Sequence, residues 1–172
     1  MKYSVCFTGH RPQRLPCGFN EEHPVCLRIK SQLKRLIIGV IEKKNVTRFI
    51  SGCALGTDLW AAEIVLELKE EYPNITLEAA IPCKNQTVGW NVKNKERYVR
   101  MLSQCDAITI LQERYTYDCM QNRNKYMVDK ADYVIAVWNR KPSGTGKTIR
   151  YAIDCGKPVY YVDVNDFKMK AM

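Results

Sequence analysis

Short apolar stretches rich in β-branched residues alternate along the chain with longer segments in which apolar residues recur every three or four positions. The first pattern is typical of buried strands and the second of amphipathic helices. Glycine and proline separate the segments and mark where each one ends. The pattern predicts six strands, with a frayed tail after the last, over residues 3–8, 46–50, 75–81, 107–111, 133–138 and 159–162.

Five helices are predicted between these strands, over residues 25–44, 58–72, 92–104, 122–130 and 145–154. Strands that alternate with helices form a mostly parallel sheet with helices on both faces, since parallel neighbours need long right-handed crossovers. We therefore expect an α/β protein with a doubly wound, Rossmann-like sheet. No linker, repeat or low-complexity stretch interrupts residues 1–172, which predicts a single domain.

Unusual loops follow the first, second and fifth predicted strands. Loops that follow parallel strands lie along one edge of the sheet, where α/β proteins bind ligands near the switch in strand order. We expect these loops to converge there, although they are far apart in sequence. Their residues are Gly9-His10-Arg11-Pro12, Ser51-Gly52-Cys53-Ala54-Leu55-Gly56-Thr57-Asp58 and Pro142-Ser143-Gly144-Thr145.

The loop after the second strand carries the strongest local signal. Gly52 and Gly56 let the backbone turn tightly, and a helix opens near Thr57 and Asp58. The start of that helix would offer N–H groups to a phosphate, or it would be a tight turn with Thr57 or Asp58 as N-cap. Asp58 would repel a phosphate, so we expect it to bond a ribose hydroxyl or to order the loop.

Two further loops offer groups for an anion. Gly144-Thr145-Gly146-Lys147-Thr148 is similar to part of a P-loop, but Lys141 stands where the first glycine belongs. Hydrolysis of a nucleoside triphosphate is not expected, whereas small residues and amides at a helix start could hold a phosphate. Arg11 could clamp a phosphate and His10 could bond a base or phosphate. Alternatively, His10 caps the turn and Arg11 is solvated.

Other candidate residues lie outside these loops. Arg123 and Asn124 open a helix before the fifth strand. Glu63 follows Asp58 by five residues on one helix, so the two carboxylates do not share a face, and a paired-carboxylate mechanism is not expected. Four aromatic residues are candidates for stacking on a base or, alternatively, for packing: Trp90, Tyr98, Tyr115 and Tyr126.

Composition narrows the classes of partner. The formal net charge of +9 favours an anionic partner, either nucleic acid or a phosphorylated small molecule, although the charges are spread along the chain. No long apolar segment and no signal peptide is evident, so we expect a cytoplasmic protein without a membrane span. The eight cysteines form no C-x-x-C pair and are expected to be reduced thiols. Cys17, His23 and Cys26 lack an evident fourth ligand, so no metal is expected.

Motifs along nearly the whole chain occur in the order found in the DUF1273 (YpsA-like) family of the SLOG superfamily, which the chain resembles. SLOG proteins are Rossmann-like domains related to the DNA-processing protein DprA and to the cytokinin-activating LOG enzymes. The motifs are residues 6–12 and 51–63, Trp90, Arg97-Tyr98, residues 123–129, residues 135–138, Gly144-Thr145 and residues 148–152.

This resemblance implies a pocket for a nucleotide or a nucleotide-derived ligand such as NAD or ADP-ribose, and it is compatible with a homo-oligomer. LOG-type hydrolases carry a glutamate three residues after the glycine-threonine pair, but Thr148 stands there in this chain. The candidate ligand-binding residues are Gly9, His10, Arg11, Ser51, Gly52, Gly56, Thr57, Asp58, Arg123, Asn124, Gly144, Thr145 and Thr148.

Three functions remain open on the sequence. The leading hypothesis is a module that binds or senses a nucleotide-like small molecule. The second is a LOG-like nucleotide phosphoribohydrolase or N-glycosidase that uses Glu63 or Asp58 as its acid. The third, ranked lowest because no basic stripe interleaved with aromatic residues is evident, is a DprA-like module associated with nucleic acid.

Overall fold

Seven strands form one sheet in the computed structural model of the protein, which describes residues 1–172. Six strands are parallel to their neighbours, and only the last is antiparallel. The strands are β1 (Tyr3–Gly9), β2 (Val46–Ser51), β3 (Thr76–Ile81), β4 (Ala107–Ile110), β5 (Tyr133–Trp138), β6 (Val159–Asp163) and β7 (Met169–Ala171).

Five α-helices connect the strands, and a short 3₁₀-helix (Pro12–Arg14) follows β1. None of the helices combines the length and the apolar character needed to cross a bilayer. The helices are α1 (Pro24–Lys44), α2 (Thr57–Leu68), α3 (Val92–Leu102), α4 (Cys119–Asp129) and α5 (Gly144–Asp154).

The strand order across the sheet is β4-β3-β2-β1-β5-β6-β7. The chain adds strands outward from β1 to β4 and then crosses back to place β5 on the other side of β1. The order therefore reverses between β1 and β5, and this is the topological switch point where open α/β sheets bind their ligands. The expected Rossmann-like, doubly wound fold is confirmed.

Hydrophobic packing on both faces holds the helices to the sheet. On β1, Val5 and Phe7 belong to a core shared with α1, α2 and α3, whereas Cys6 faces a smaller core shared with α4 and α5. Alternate residues of a strand point to opposite faces, so the fully buried central strand is apolar on both sides. This arrangement fixes the loops at the carboxyl ends of β1, β2 and β5 on a rigid support.

The boundaries of the second helix differ from the prediction of residues 58–72. Helix α2 ends at Leu68, and the segment up to Tyr72 forms turns, with the Tyr72 N–H donating to Leu68 O at 2.8 Å. A residue before proline is disfavoured in the α conformation, and Pro73 follows Tyr72 directly. The helical spacing of apolar residues thus extends to Tyr72 in the sequence, whereas the helix itself ends at Leu68.

The tail after β6 is ordered, so the expectation that it is frayed is wrong. Strand β7 pairs with β6, and the fully buried carboxylate of Asp163 accepts from Lys170 Nζ at 2.6 Å and forms an ion pair with Arg140, whose Nε lies 2.9 Å away. The Asn165 N–H donates to the same carboxylate at 2.9 Å. One buried acceptor therefore organises the turn into β7 and attaches the last strand to the sheet.

Candidate ligand-binding site

A cavity of about 290 Å³ lies at the switch point, between the loops that follow β1 and β5. The first turns of α4 and α5 and the loop before α2 complete its walls. Its position matches the expected convergence of loops at one edge of the sheet. The lining residues are Thr8, Gly9, His10, Arg11, Gln13, Arg14, Ala54, Asp58, Met120, Gln121, Arg123, Asn124, Ser143, Gly144 and Thr145.

His10 joins the two strands that flank the switch point. Its backbone N–H donates to Val137 O at 3.3 Å, and its Nε2 accepts from the Asn139 N–H at 3.1 Å. Burial lowers the pKa of His10, because a charged imidazole is poorly solvated there. The ring is therefore neutral at pH 7 with its proton on Nδ1, and it holds the β1 and β5 loops together.

The start of α2 is docked onto the loop after β1. Both the N–H and the Oγ1 of Thr57 donate to His10 O, at 3.3 and 3.1 Å, and the Leu59 N–H donates to Ala54 O at 3.1 Å. The Gly56 N-cap has φ +89°, and a Cβ there would lie 2.7 Å from His10 O. These N–H groups are occupied by the protein, so they are not available to hold a phosphate.

Arg123 is a buried arginine that the sequence motifs place near the site. Its Nη1 donates to Gly52 O, its Nε donates to Asn124 Oδ1 at 2.9 Å, and its Nη2 lies 3.9 Å from Asp58 Oδ2. A Cβ on Gly52 would overlap the guanidinium group. Gly52 therefore admits the arginine side chain rather than the close approach of a ligand.

The cavity is positively charged overall. Burial raises the pKa of Asp58, and the nearby Arg123 and Arg11 partly offset this effect. Burial lowers the pKa of Arg123, but an arginine starts from so high a value that it stays charged. Arg14 donates to Pro142 O at 3.2 Å, and Arg11 has no partner within the protein. Three guanidinium groups thus face one carboxyl group.

The start of α5 offers two adjacent free donors, whereas the Thr57 and Leu59 N–H groups at the start of α2 are occupied. Ser143 is the N-cap, and its Oγ accepts from the Gly146 N–H at 3.0 Å. The N–H groups of Gly144 and Thr145 have no acceptor within the protein, and both residues line the cavity. A helix N-terminus carries a partial positive charge, so these two donors are suited to an anion.

Not all predicted binding residues reach the cavity. Eight of them line it, and the other five lie behind its wall: Ser51, Gly52, Gly56, Thr57 and Thr148. Ser51 Oγ donates to Asp58 O at 2.8 Å, and Thr148 Oγ1 donates to Gly144 O at 3.0 Å. These hydroxyl groups stabilise the elements that form the wall.

Glu63 lies away from the switch-point cavity. Arg97 holds its carboxylate in a bidentate pair, with Nε 2.6 Å from Oε1 and Nη2 2.7 Å from Oε2. The third nitrogen, Nη1, donates to Glu21 at 2.9 Å. Of the two candidate acids, only Asp58 lines the cavity.

The four aromatic candidates do not form one cluster. Tyr126 donates to Glu78 at 2.8 Å, Tyr115 is mostly exposed, and Tyr98 is buried. Trp90 packs edge-on against Tyr98, with ring centroids 5.5 Å apart. It lines a second cavity of about 210 Å³ that shares walls with the first. Only Trp90 is thus placed next to the candidate site.

Several lining residues carry no sequence signal. Gln13 and Arg14 lie in the 3₁₀-helix after β1, and Met120 and Gln121 lie in the first turn of α4. None of them belongs to a glycine loop or to a recognisable motif. The one cue that could have identified them is their position, in the first helical turn after a loop at the carboxyl edge of the sheet.

The residues considered for a metal have other roles. His23 is the N-cap of α1, where its Nδ1 accepts from the Val25 N–H at 3.2 Å. No group of three or more His, Cys, Asp or Glu side chains is arranged to hold a metal ion. All eight cysteines are free thiols.

The fold and the cavity together define a Rossmann-like α/β protein with a basic pocket at its switch point. The family model described as YspA SLOG family matches residues 5–164. The chain belongs to this family of YpsA proteins, which confirms the resemblance drawn from its motifs.

A curated relative agrees with this assignment, and two solved structures share the fold. A UPF0398 protein of Bacillus pumilus is 30% identical over 169 residues, covering 95% of this chain and 89% of its own. DNA processing protein A from Helicobacter pylori, whose structure concerns a single-stranded DNA binding mode, is similar with a TM-score of 0.64 and 20% identity. DprA from Streptococcus pneumoniae is similar with a TM-score of 0.62 and 19% identity. Both structural matches cover 92% of this chain. They cover only 64% of the Helicobacter pylori chain and 50% of the Streptococcus pneumoniae chain.

Proposed function

We propose that the switch-point cavity binds the phosphate-bearing part of a nucleotide-derived small molecule. The observation that carries the proposal is the convergence of Arg11 and Arg14 with the two free N–H groups of Gly144 and Thr145 on one cavity. Guanidinium groups pair with phosphate oxygens, and a helix N-terminus adds oriented donors and a favourable dipole.

The remaining polar groups favour a sugar phosphate over a bare anion. Asp58 lies at the inner wall, where a carboxyl group would weaken binding of a phosphate but can bond a ribose hydroxyl. Asn124 lies beside it and is held by Thr148 through an Nδ2 to Oγ1 hydrogen bond of 3.0 Å. Nucleotides, NAD and ADP-ribose all contain a ribose phosphate unit. Such a unit would place its phosphate at the arginines and its ribose at Asp58 and Asn124.

Titration calorimetry of ADP-ribose and of AMP tests the proposal. Arg11→Gln should weaken binding about 10- to 100-fold, because a hydrogen bond to a charged group contributes roughly 1.5–3 kcal/mol. Arg11 has no partner within the protein, so the variant should fold normally. Arg150→Gln, on the exposed face of α5, removes the same charge and should change affinity less than about twofold. Equal affinities of both variants for every nucleotide tested would refute the site.

A second function, hydrolysis of an N-glycosidic bond, is favoured by one observation. Asp58 lines the cavity, and burial raises its pKa, so its carboxyl group is better able to donate a proton to a leaving base. Water would add to the sugar carbon as the base leaves. Chromatography of AMP incubated with the protein should then show adenine and ribose 5-phosphate, and Asp58→Asn should abolish their formation. If AMP is not consumed, hydrolysis is ruled out and only the binding function remains.

A third function, binding of single-stranded nucleic acid, is favoured by the likeness to DprA and by the net charge of +9. Such binding depends on release of counterions, so the affinity for an oligonucleotide should fall steeply between about 50 and 200 mM salt. Competition by ADP-ribose would place the nucleic acid in the switch-point cavity. Binding without competition would place it elsewhere on the surface.

We propose a cytoplasmic setting, which the proposed ligand and the free thiols support. Eight free cysteines are maintained in a reducing compartment, and nucleotide-derived metabolites are found there, so we place the protein in the cytoplasm. Pairing of two copies stays a prediction.

A further inference from the structure

The second cavity adjoins the first and shares part of its lining. It runs from the loop after β1 toward the start of α3, and Arg11, Gln13 and Met120 line both cavities. A ligand whose phosphate contacts Arg11 would therefore lie next to the second cavity. We call this second cavity the base cleft; its other walls include Phe19 and Trp90.

The base cleft differs chemically from the phosphate site. Its lining contains no carboxylate and no amine, and its one charged residue, Arg11, lies where the two cavities meet. Two aromatic side chains line it, Phe19 from the β1 loop and Trp90 from the segment before α3. Trp90 is half-buried and held by its edge-on contact with Tyr98, so its ring is fixed before a ligand arrives.

Two carboxamides in the base cleft are free to bind a ligand. Gln86 is already bonded at both ends of its carboxamide, since its Nε2 donates to Gly52 O at 2.9 Å and its Oε1 accepts from Tyr98 at 3.2 Å. The side chains of Gln13 and Asn94, by contrast, make no hydrogen bond within the protein. A carboxamide presents one acceptor and two donors, which match the mixed donor and acceptor edge of a nucleobase.

We propose that the base cleft holds the nucleobase of the ligand, stacked against Trp90 and bonded at its edge by Gln13 and Asn94. This inference rests on the proposed function, because it assigns the phosphate of the same ligand to the neighbouring cavity. A cleft lined by aromatic side chains and free amides, with its one charged residue at the junction with the first cavity, suits a neutral heteroaromatic ring better than a second phosphate or an aliphatic chain.

Calorimetry with matched probes tests the base cleft separately from the phosphate site. The probes are AMP, which has both parts, ribose 5-phosphate, which lacks the base, and adenosine, which lacks the phosphate. Trp90→Leu should weaken AMP roughly fivefold to 100-fold and leave the affinity for ribose 5-phosphate within about twofold. Trp90→Phe should restore most of the AMP affinity, because a phenyl ring also stacks. Tyr115→Leu, at an exposed aromatic residue, is the control and should change neither affinity.

Each outcome assigns the failure to one site. If Trp90→Leu weakens AMP and ribose 5-phosphate equally, or weakens neither, the base cleft is wrong and the phosphate site stands. If wild-type protein binds neither AMP nor ribose 5-phosphate, the proposed function fails. In that case, if adenosine binds to the wild-type protein but not to Trp90→Leu, the base cleft is upheld without the phosphate site. If adenosine does not bind either, the base cleft is overturned together with the proposed function. Thermal unfolding of the Trp90 variants confirms that they are folded when measured.

Discussion

At the scale of the residue, glycines in the motif loops make room for other side chains. The missing Cβ of Gly9 leaves space for Thr57, and that of Gly52 leaves space for the guanidinium of Arg123. Glycine in such loops also permits close approach of a ligand, and sequence does not distinguish the two uses. Gly52 packs against Arg123 and Thr57 packs against Gly9, so neither residue lines the cavity.

Two substitutions of glycine by alanine should have opposite effects. Gly9→Ala would place a methyl group on the buried Thr57 side chain, so we expect it to lower the free energy of unfolding by about 1–3 kcal/mol. Gly39→Ala lies inside α1 with no atom within 4 Å of its new Cβ, and should raise stability by about 0.5–1 kcal/mol. Urea unfolding of both variants tests this. A Gly9→Ala protein as stable as wild type would show that β1 and α2 are not tightly docked.

One residue of the motif loops keeps an unusual conformation for its type. Cys53 has φ +56°, in the left-handed region that favours glycine, and its side chain is buried with Sγ 3.9 Å from Met101 Sδ. A glycine would adopt this backbone conformation without strain. The buried sulfur contact with α3 is what cysteine adds at this position.

At the scale of the element, the loop between β1 and α1 brings Arg11, Gln13 and Arg14 to the cavity. Glu21, near its end, fastens this loop to the helices by accepting from Trp60 at 2.5 Å, Arg97 at 2.9 Å and Lys30 at 3.0 Å. No periodic pattern predicts this loop, because contacts with three separate helical residues hold it in place.

Glu21→Gln should destabilise the protein in a pH-dependent way. Burial raises the pKa of Glu21, but the hydrogen bonds from Arg97, Trp60 and Lys30 outweigh it and lower the pKa to about 2. The carboxylate thus stabilises the fold above its unfolded pKa, and this stabilisation is lost as the pH falls from about 4.5 toward 2. We expect a loss of about 2 kcal/mol at pH 7, reduced by partial exposure of the side chain, that shrinks toward zero near pH 2.

Glu22→Gln is the matched control for this prediction, because Glu22 is exposed and adjacent. Urea unfolding of both variants at several pH values gives the comparison. A loss for Glu21→Gln that does not change between pH 7 and pH 3 would mean that the carboxylate charge is not what fastens the loop.

At the scale of the whole molecule, local periodicity was sufficient to predict the six parallel strands and the five helices. It could not predict β7, which has three residues and depends on the buried Asp163, a contact that no local pattern reveals. The site was predicted in part for a similar reason. Loops after parallel strands must meet at one edge, so Arg11 and Gly144 were found, whereas Arg14 and Met120 reach the cavity only through the particular path of the chain.

Asp163→Asn tests how the end of the chain is attached. The substitution removes the charge that pairs with Lys170 and Arg140, and we expect a loss of about 2 kcal/mol together with faster hydrogen exchange in β7. Asp166→Asn removes a neighbouring carboxylate that also contacts Lys170 at 2.8 Å but is partly exposed, and should cost less than about 0.5 kcal/mol. Equal losses for the two variants would contradict the role given to the buried carboxylate.

The central claim is that a phosphate binds at the start of α5 rather than at the start of α2, and amide NMR tests it most directly. Titrating ADP-ribose into ¹⁵N-labelled protein should shift the N–H signals of Gly144 and Thr145, which have no acceptor in the protein. The signals of Thr57 and Leu59, which already donate to His10 and Ala54, should move little. Large shifts at Thr57 and Leu59, with Gly144 and Thr145 unchanged, would contradict the account.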